Sequence, residues 1–252
     1  MDKSIATYTI FRPFADELVA FTSTRGSLSS EVAPRFTGEP KMNALRNRNN
    51  LAKLIKINAS QLVFPRQTHS CYVDNLAGIP NHELKDTDAL VTGTSGICLC
   101  IQTADCVPLL LYDPVAKVAG AVHAGWRGTV DLIAGKAVEK MSTIYGSQPQ
   151  DILVAIGPSI GPDIYEVGNE VAEAVSKNIP NAGKTLHTGK SGKYHLNLWE
   201  ANRQILKAHG ILPEHIEISG RCTYTENELF YSARREGIET GRMVSGIMLK
   251  NS

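Results

Sequence analysis

Charge of one sign, long apolar runs and the familiar nucleotide and hydrolase motifs are all missing from this chain. Lys and Arg number 26 against 25 Asp and Glu over 252 residues, a formal net charge of +1. No block of like charge stands out, so nucleic acid and membrane surfaces receive no electrostatic support as partners. No apolar run approaches the ~18 residues that a membrane-spanning helix needs. Met1-Asp2-Lys3-Ser4 leads into no apolar core and no small-residue cleavage site, so the sequence reads as lacking a signal peptide and as cytoplasmic. Five cysteines is an odd number in a chain too large to need staples, which fits reduced thiols better than a disulfide framework. There is no Gly-x-Ser-x-Gly elbow, no Walker loop and no Gly-x-Gly-x-x-Gly after a strand. Seven histidines without a His-x-His pair argue against a multicopper site.

What is present is enough apolar sequence, 42%, to bury a sizeable core. The expectation is one α/β domain over residues 1–252. Strands are expected over residues 4–10, 18–24, 61–67, 71–76 and 89–92. The near-continuous apolar runs at 97–102 and 107–112 read as strands covered on both faces. Further strands are expected at 118–123, 152–156, 216–219 and 244–249. Helical spacing marks 41–57, 129–145, 171–179 and 198–209. Residues 26–40, rich in Ser, Gly and Pro, read as a loop long enough to be a lid. About ten strands and about four helices argue for mixed sheets with helices outside, not a regular βαβ array.

The candidate centre is His123-Ala124-Gly125-Trp126-Arg127-Gly128-Thr129, a turn between a buried strand and a helix. Its glycines allow turn conformations and close approach of a ligand. Cys106, in Thr103-Ala104-Asp105-Cys106, sits in a polar break between two buried strands, and His69 sits between two others. One thiol and two imidazoles make a plausible open zinc site, with three protein ligands and a fourth position for water. Their spacing is not that of a zinc finger, so the fold would have to assemble them. Cys106 with His123 also fits a thiolate nucleophile and its base. Cys98 and Cys100 share one strand face and read as small buried hydrophobes, as do Cys71 and Cys222. His82, His187, His195, His209 and His215 read as mostly solvated. Anion-site candidates are Arg48, Arg127 and the Arg234-Arg235 pair, since a guanidinium can grip phosphate with two parallel hydrogen bonds. Trp126 is equally suited to stacking on a base or wedging into the core.

Six segments together resemble a known family. They are Gln67-Thr68-His69-Ser70, Asp88-Ala89-Leu90-Val91-Thr92, Thr103 to Pro108, His123 to Gly128, Ile156-Gly157-Pro158 with Tyr165-Glu166-Val167, and Phe230 to Arg235 with Thr240-Gly241-Arg242. In this order they resemble the laccase-domain family, whose members have been labelled polyphenol oxidases, purine nucleoside phosphorylases and peptidoglycan editing factors. The resemblance implies a layered α-β-β-α sandwich of mixed sheets, similar to the catalytic domain of cytotoxic necrotising factor toxins. It implies that His69, Cys106 and His123 are the site, holding zinc or, in the oxidase labels, copper. The implied activity is phosphorolysis of adenosine, inosine and methylthioadenosine to free base and ribose-1-phosphate, with adenosine deamination beside it. Arg48 and Arg127 are the substrate-binding candidates, Arg48 for the phosphate, and His69 or His123 the proton donor. The alternatives are a Cys-His amidase acting on cell-wall precursors, a copper-dependent phenol oxidase, and a nucleotide-binding or cell-division partner module without turnover. Two departures from the family pattern stand out. Thr24-Arg25-Gly26-Ser27 carries one glycine where the family usually has a pair, and Asn197 stands where the family often has Asp.

Overall fold

The protein is described from a computed structural model covering residues 5–27, 33–38, 41–189 and 192–251. Two mixed sheets face each other. The first contains β1 (Ile5–Ala6), β2 (Leu18–Ser23), β3 (Leu62–Val63), β6 (Cys98–Thr103) and β14 (Met243–Leu249), in the order β1-β2-β14-β6-β3. The C-terminal strand β14 lies in the middle, antiparallel to both β2 and β6. The second contains β4 (Val73–Asn75), β5 (Ala89–Thr92), β7 (Val107–Asp113), β8 (Val118–Ala124), β9 (Leu153–Ile156) and β13 (Ile216–Ile218), in the order β13-β9-β7-β8-β5-β4.

Strand β7 shows why the apolar runs are continuous. All seven of its residues are buried, and alternate side chains enter different cores, as the two-residue strand period requires. Leu110 and Tyr112 meet Leu99, Ile101 and Ile247 between the sheets. Leu109 and Leu111 point the other way, toward a layer of helices. That layer is α3 (Ile133–Tyr145), α4 (Asn169–Asn178) and α5 (Leu198–Ala208), whose Ile133, Met141, Val175 and Ile205 complete the same core. On the far side α1 (Lys41–Leu54) lays Leu51 and Ala52 against Phe21, Cys98 and Cys100 of the first sheet. The layering is therefore α-β-β-α, and Cys98 and Cys100 are the buried hydrophobes their spacing suggests, with sulfurs 3.7 Å apart.

Local expectations differ from the structure in several places. Of the strand expected over 4–10, the described residues keep only β1; beyond it the chain becomes a 3-10 helix over Thr9–Phe14, containing Pro13. The backbone donors of Thr9 and Ile10 go to the Glu217 carboxylate instead of a ladder. The expected strands at 61–67 and 71–76 shrink to β3 and β4. A third, small sheet was not visible in the sequence: β10 (Glu166–Val167), β12 (Tyr194–Leu196) and β11 (Leu186–Thr188), too short to show a period. The helix expected over 129–145 is two helices. Here α2 (Trp126–Val130) starts inside the central turn, and Leu132, at φ 61°, breaks it from α3. The expected loop at 26–40 falls partly on residues 28–32 and 39–40, outside the described residues, and its first residues, Arg25–Ser27, form a 3-10 turn. Among the described residues no helix is long and apolar enough to cross a membrane.

Candidate active site

Strand ends at one edge of the second sheet bring the chemistry together. His123, near the end of β8, lies opposite Pro108 of β7. Cys106 occupies the turn that enters β7, and His69 the turn that precedes β4. Two residues here adopt a left-handed backbone that non-glycine residues rarely take, His69 at φ 61° and Asp105 at φ 93°. Cys106 Sγ is 3.7 Å from His69 Nε2. The two imidazoles meet edge to face with centroids 4.9 Å apart. One donor atom from each of the three lies within 4.8 Å of the others. Gly125 makes this approach possible: a Cβ there would sit 2.8 Å from His69 Cδ2 and 3.1 Å from Cys106 Sγ.

A carboxylate outside the expected trio holds the cluster in place. Asp88, fully buried just before β5, accepts the Thr68 and Ser70 amides and the Ser70 hydroxyl on Oδ2, at 3.1, 2.8 and 2.8 Å. Its Oδ1 accepts the His69 amide at 3.1 Å and His123 Nδ1 at 2.7 Å. One carboxylate thus folds the turn that carries His69 and fixes the ring of His123 with Nε2 turned to the site. Burial alone would push Asp88 upward. The His123 hydrogen bond and charge, with Thr68 and Ser70, outweigh it and hold the carboxyl at about 2. Asp105 clamps the neighbouring turn. Its Oδ1 accepts Thr223 Oγ1 at 2.6 Å, its Oδ2 the Arg234 amide at 2.7 Å, and its carbonyl the Ile160 amide at 3.0 Å.

Thiol and imidazole shift each other. Burial opposes the charged form of both. The charge and hydrogen bond of His123, followed by His69, bring Cys106 down to about 6. The charge of Cys106, followed by the Asp88 hydrogen bond, raises His123 to about 9. In the metal-free protein the pair at neutral pH is therefore thiolate and imidazolium.

The trio lines a cavity of about 530 Å³ whose wall also carries Arg35, Arg66, Arg127, Arg234 and Arg242. Arg127 stacks its guanidinium 4.4 Å over the Trp126 ring, and no carboxylate pairs with it among the described residues. Trp126 packs partly against the helical core and partly lines the cavity. Arg234 is at this cavity, whereas Arg235 is turned to the Tyr224 carbonyl. Arg48 is not brought to the trio: it lines a second cavity under α1. Asn197 keeps a structural task without a carboxylate, accepting the Glu200 amide at 3.0 Å as the cap of α5. Gly26 stands in open space.

The donor set fits a metal ion. One thiolate and two imidazoles can converge on a point, His123 is oriented from behind by a carboxylate as metal-ligating histidines usually are, and a fourth position stays open to the cavity.

Known proteins resemble this one across nearly the whole chain. Residues 23–250 match the family model described as multi-copper polyphenol oxidoreductase laccase. A protein of Bacteroides thetaiotaomicron named purine nucleoside phosphorylase is 36% identical, over 98% of this chain and 97% of its own. Another, from an unknown prokaryotic organism and named adenosine deaminase RL5, is 38% identical over 95% of this chain and 97% of its own. The crystal structure of the Bacillus licheniformis hypothetical protein YfiH superposes with a TM-score of 0.86 at 34% identity, covering 96% of this chain and 100% of that one.

Proposed function

This chain belongs to the multi-copper polyphenol oxidoreductase laccase family, and from that premise we propose that it is a purine nucleoside phosphorylase. It would cleave adenosine, inosine or methylthioadenosine with phosphate to the base and ribose-1-phosphate, and deaminate adenosine at the same site. The observation that carries this reading is the Cys-His-His cluster set in a cavity walled by five arginines. The copper-oxidase chemistry in the family's description draws on several metal centres, whereas the described residues form one group of three donors. That favours purine chemistry.

Phosphorolysis forms a bond from a phosphate oxygen to the sugar C1′ as the bond from C1′ to the base breaks, through a transition state of oxocarbenium character. The arginines supply the anion pocket. Arg127, which pairs with no carboxylate among the described residues and stacks on Trp126, is the residue we assign to the phosphate, since a fixed guanidinium loses little freedom on binding. With Arg127 over one face of the ring, the cavity-facing part of Trp126 offers the purine an apolar edge. The departing base needs a proton. His69, the most exposed member of the trio, faces the cavity and can deliver it from Nε2. Asp88 acts behind both imidazoles as a positioning residue.

His69, Cys106 and His123 would hold the metal, which we assign as zinc, with copper the alternative. Bound there, zinc supplies a Lewis acid that activates water, the chemistry that deamination at C6 of adenine requires. Ligation and proton delivery compete for His69 Nε2, so metal loading should favour deamination over phosphorolysis.

One observation favours a second reading. The chain Asp88–His123–Cys106, with its depressed thiol, has the layout of a Cys-His nucleophile with an orienting carboxylate. An amidase acting on cell-wall precursors would use it.

A product assay on purified, metal-quantified protein separates these readings. Adenine and ribose-1-phosphate from adenosine only when phosphate is present supports phosphorolysis. Inosine regardless of phosphate reduces the activity to deamination. No purine product in either tube, with covalent trapping of Cys106 by an alkylating agent, moves the assignment to the amidase.

A further inference from the structure

Arg48 sits in a cavity of its own, about 460 Å³ in volume, which shares Thr37 and Arg66 with the trio's cavity. Its side chain is fixed from two directions. Nε donates to the Phe36 carbonyl at 2.7 Å, and the guanidinium lies 4.8 Å over the Phe64 ring. Phe64 in turn stacks on Phe36 at 5.5 Å with the planes 13° apart. Arg48 and Phe36 thus both pack on Phe64, and these contacts hold the guanidinium in one orientation.

No carboxylate pairs with Arg48 among the described residues. Burial draws its guanidinium below the ordinary range. A half-buried cation without a counter-charge is a standing cost that an incoming anion would relieve. Among the described residues the wall also carries Arg66, with Glu83 beside it. Apolar side chains between them, Leu45, Phe64 and Ile79, lower the local dielectric and strengthen any ion pair made there. Two guanidiniums in one cavity, Arg48 and Arg66, suit a chain of two phosphates better than a single one.

We infer that this second cavity is a subsite for the phosphates of a nucleoside 5′-diphosphate, gripped by Arg48, whose nucleoside reaches past Thr37 and Arg66 into the trio's cavity. The inference rests on the purine-nucleoside reading for the head group. With the base and C1′ at the trio, the 5′ carbon is the end of the sugar left to carry a substituent outward.

The test is calorimetric titration of the whole protein with adenosine, adenosine 5′-diphosphate and inorganic diphosphate. The wild type should bind adenosine 5′-diphosphate at least about tenfold tighter than adenosine. Arg48→Met, which keeps the stem against Phe64 and removes the charge, should reduce that ratio to less than about twofold. Glu83→Gln, which removes the carboxylate beside Arg66 (3.6 Å from it) and releases that guanidinium, should raise the ratio, an effect that misfolding cannot imitate. An unchanged ratio in both variants overturns the subsite. If inorganic diphosphate binds in an Arg48-dependent way while adenosine does not bind at all, the anion subsite stands and the reading of the trio's cavity is what fails.

Discussion

Replacing Asp88 by asparagine tests the idea that one buried carboxylate builds the site. The substitution keeps the shape but removes the charge, and it turns one acceptor oxygen into a donor facing amides that already donate. The charge contribution follows from the carboxyl's position at about 2 in the folded protein against 3.8 for an ordinary Asp. A carboxyl depressed in this way stabilises the fold above the unfolded-state value and loses that contribution as pH falls toward 2. At neutral pH it amounts to about 2 kcal/mol. The mismatched amides of residues 68–70 add about 1–3 kcal/mol. For a chain of this size each kcal/mol is worth about 2–4 °C in Tm, so Asp88→Asn should melt roughly 6–20 °C below wild type at pH 7. The gap should narrow by the charge part alone as both proteins are taken from about pH 5 toward pH 2, leaving the part due to the mismatched amides. Since His123 loses the partner that orients it, zinc affinity should also fall by about 10–100-fold, read by competition with a chromogenic chelator. A variant that melts within a degree of wild type and competes equally for zinc would refute the role given to Asp88.

Three further outcomes are expected. Gly125→Ala places a methyl against His69 and Cys106, so zinc affinity and turnover should drop at least about tenfold while the far-ultraviolet dichroism is retained; wild-type affinity would mean that the close approach has slack. In metal-depleted protein, alkylation of Cys106 followed by peptide mass should rise with pH through a midpoint near 6 and then level off, because the thiolate is the reacting form; a rise centred near 9 would remove the imidazolium from the argument. Asn197→Ala should cost about 1 kcal/mol through loss of the α5 cap, a fall of about 2–4 °C in Tm, whereas Asn197→Asp should melt with wild type.

Much of the site was legible because its parts lie where two kinds of pattern meet. Cys106 and His123 interrupt or end apolar runs whose burial is obvious, so a polar group there stands out. Strand β5 was readable to the residue. Asp88 was not legible in its role, since its five donors come from residues 68–70 and from His123, and no spacing rule connects those segments. Neither was the break between α2 and α3, made by a leucine in a left-handed conformation where sequence offers no glycine to announce it. Arg48 and Arg127 look alike as isolated basic residues. Only the packing of α1 on the outer face of the first sheet separates them into different cavities. The third sheet was hidden because strands of two or three residues carry too little pattern to be seen.

The position of β14 sets a condition on how this protein comes into being. Strands β2 and β6 are made early, yet each presents an apolar edge that only residues 243–249 can occupy. Until that segment arrives, the first sheet is two separate fragments, and pairing across such sequence distances is slow and exposed to wrong partners. The clamp on Asp105 also waits for Thr223 and Arg234. A nascent chain that has already produced His69, Cys106 and His123 would thus hold every ligand and still have no site. A stop codon before residue 243 would remove the middle of a sheet, where most terminal truncations only fray an edge.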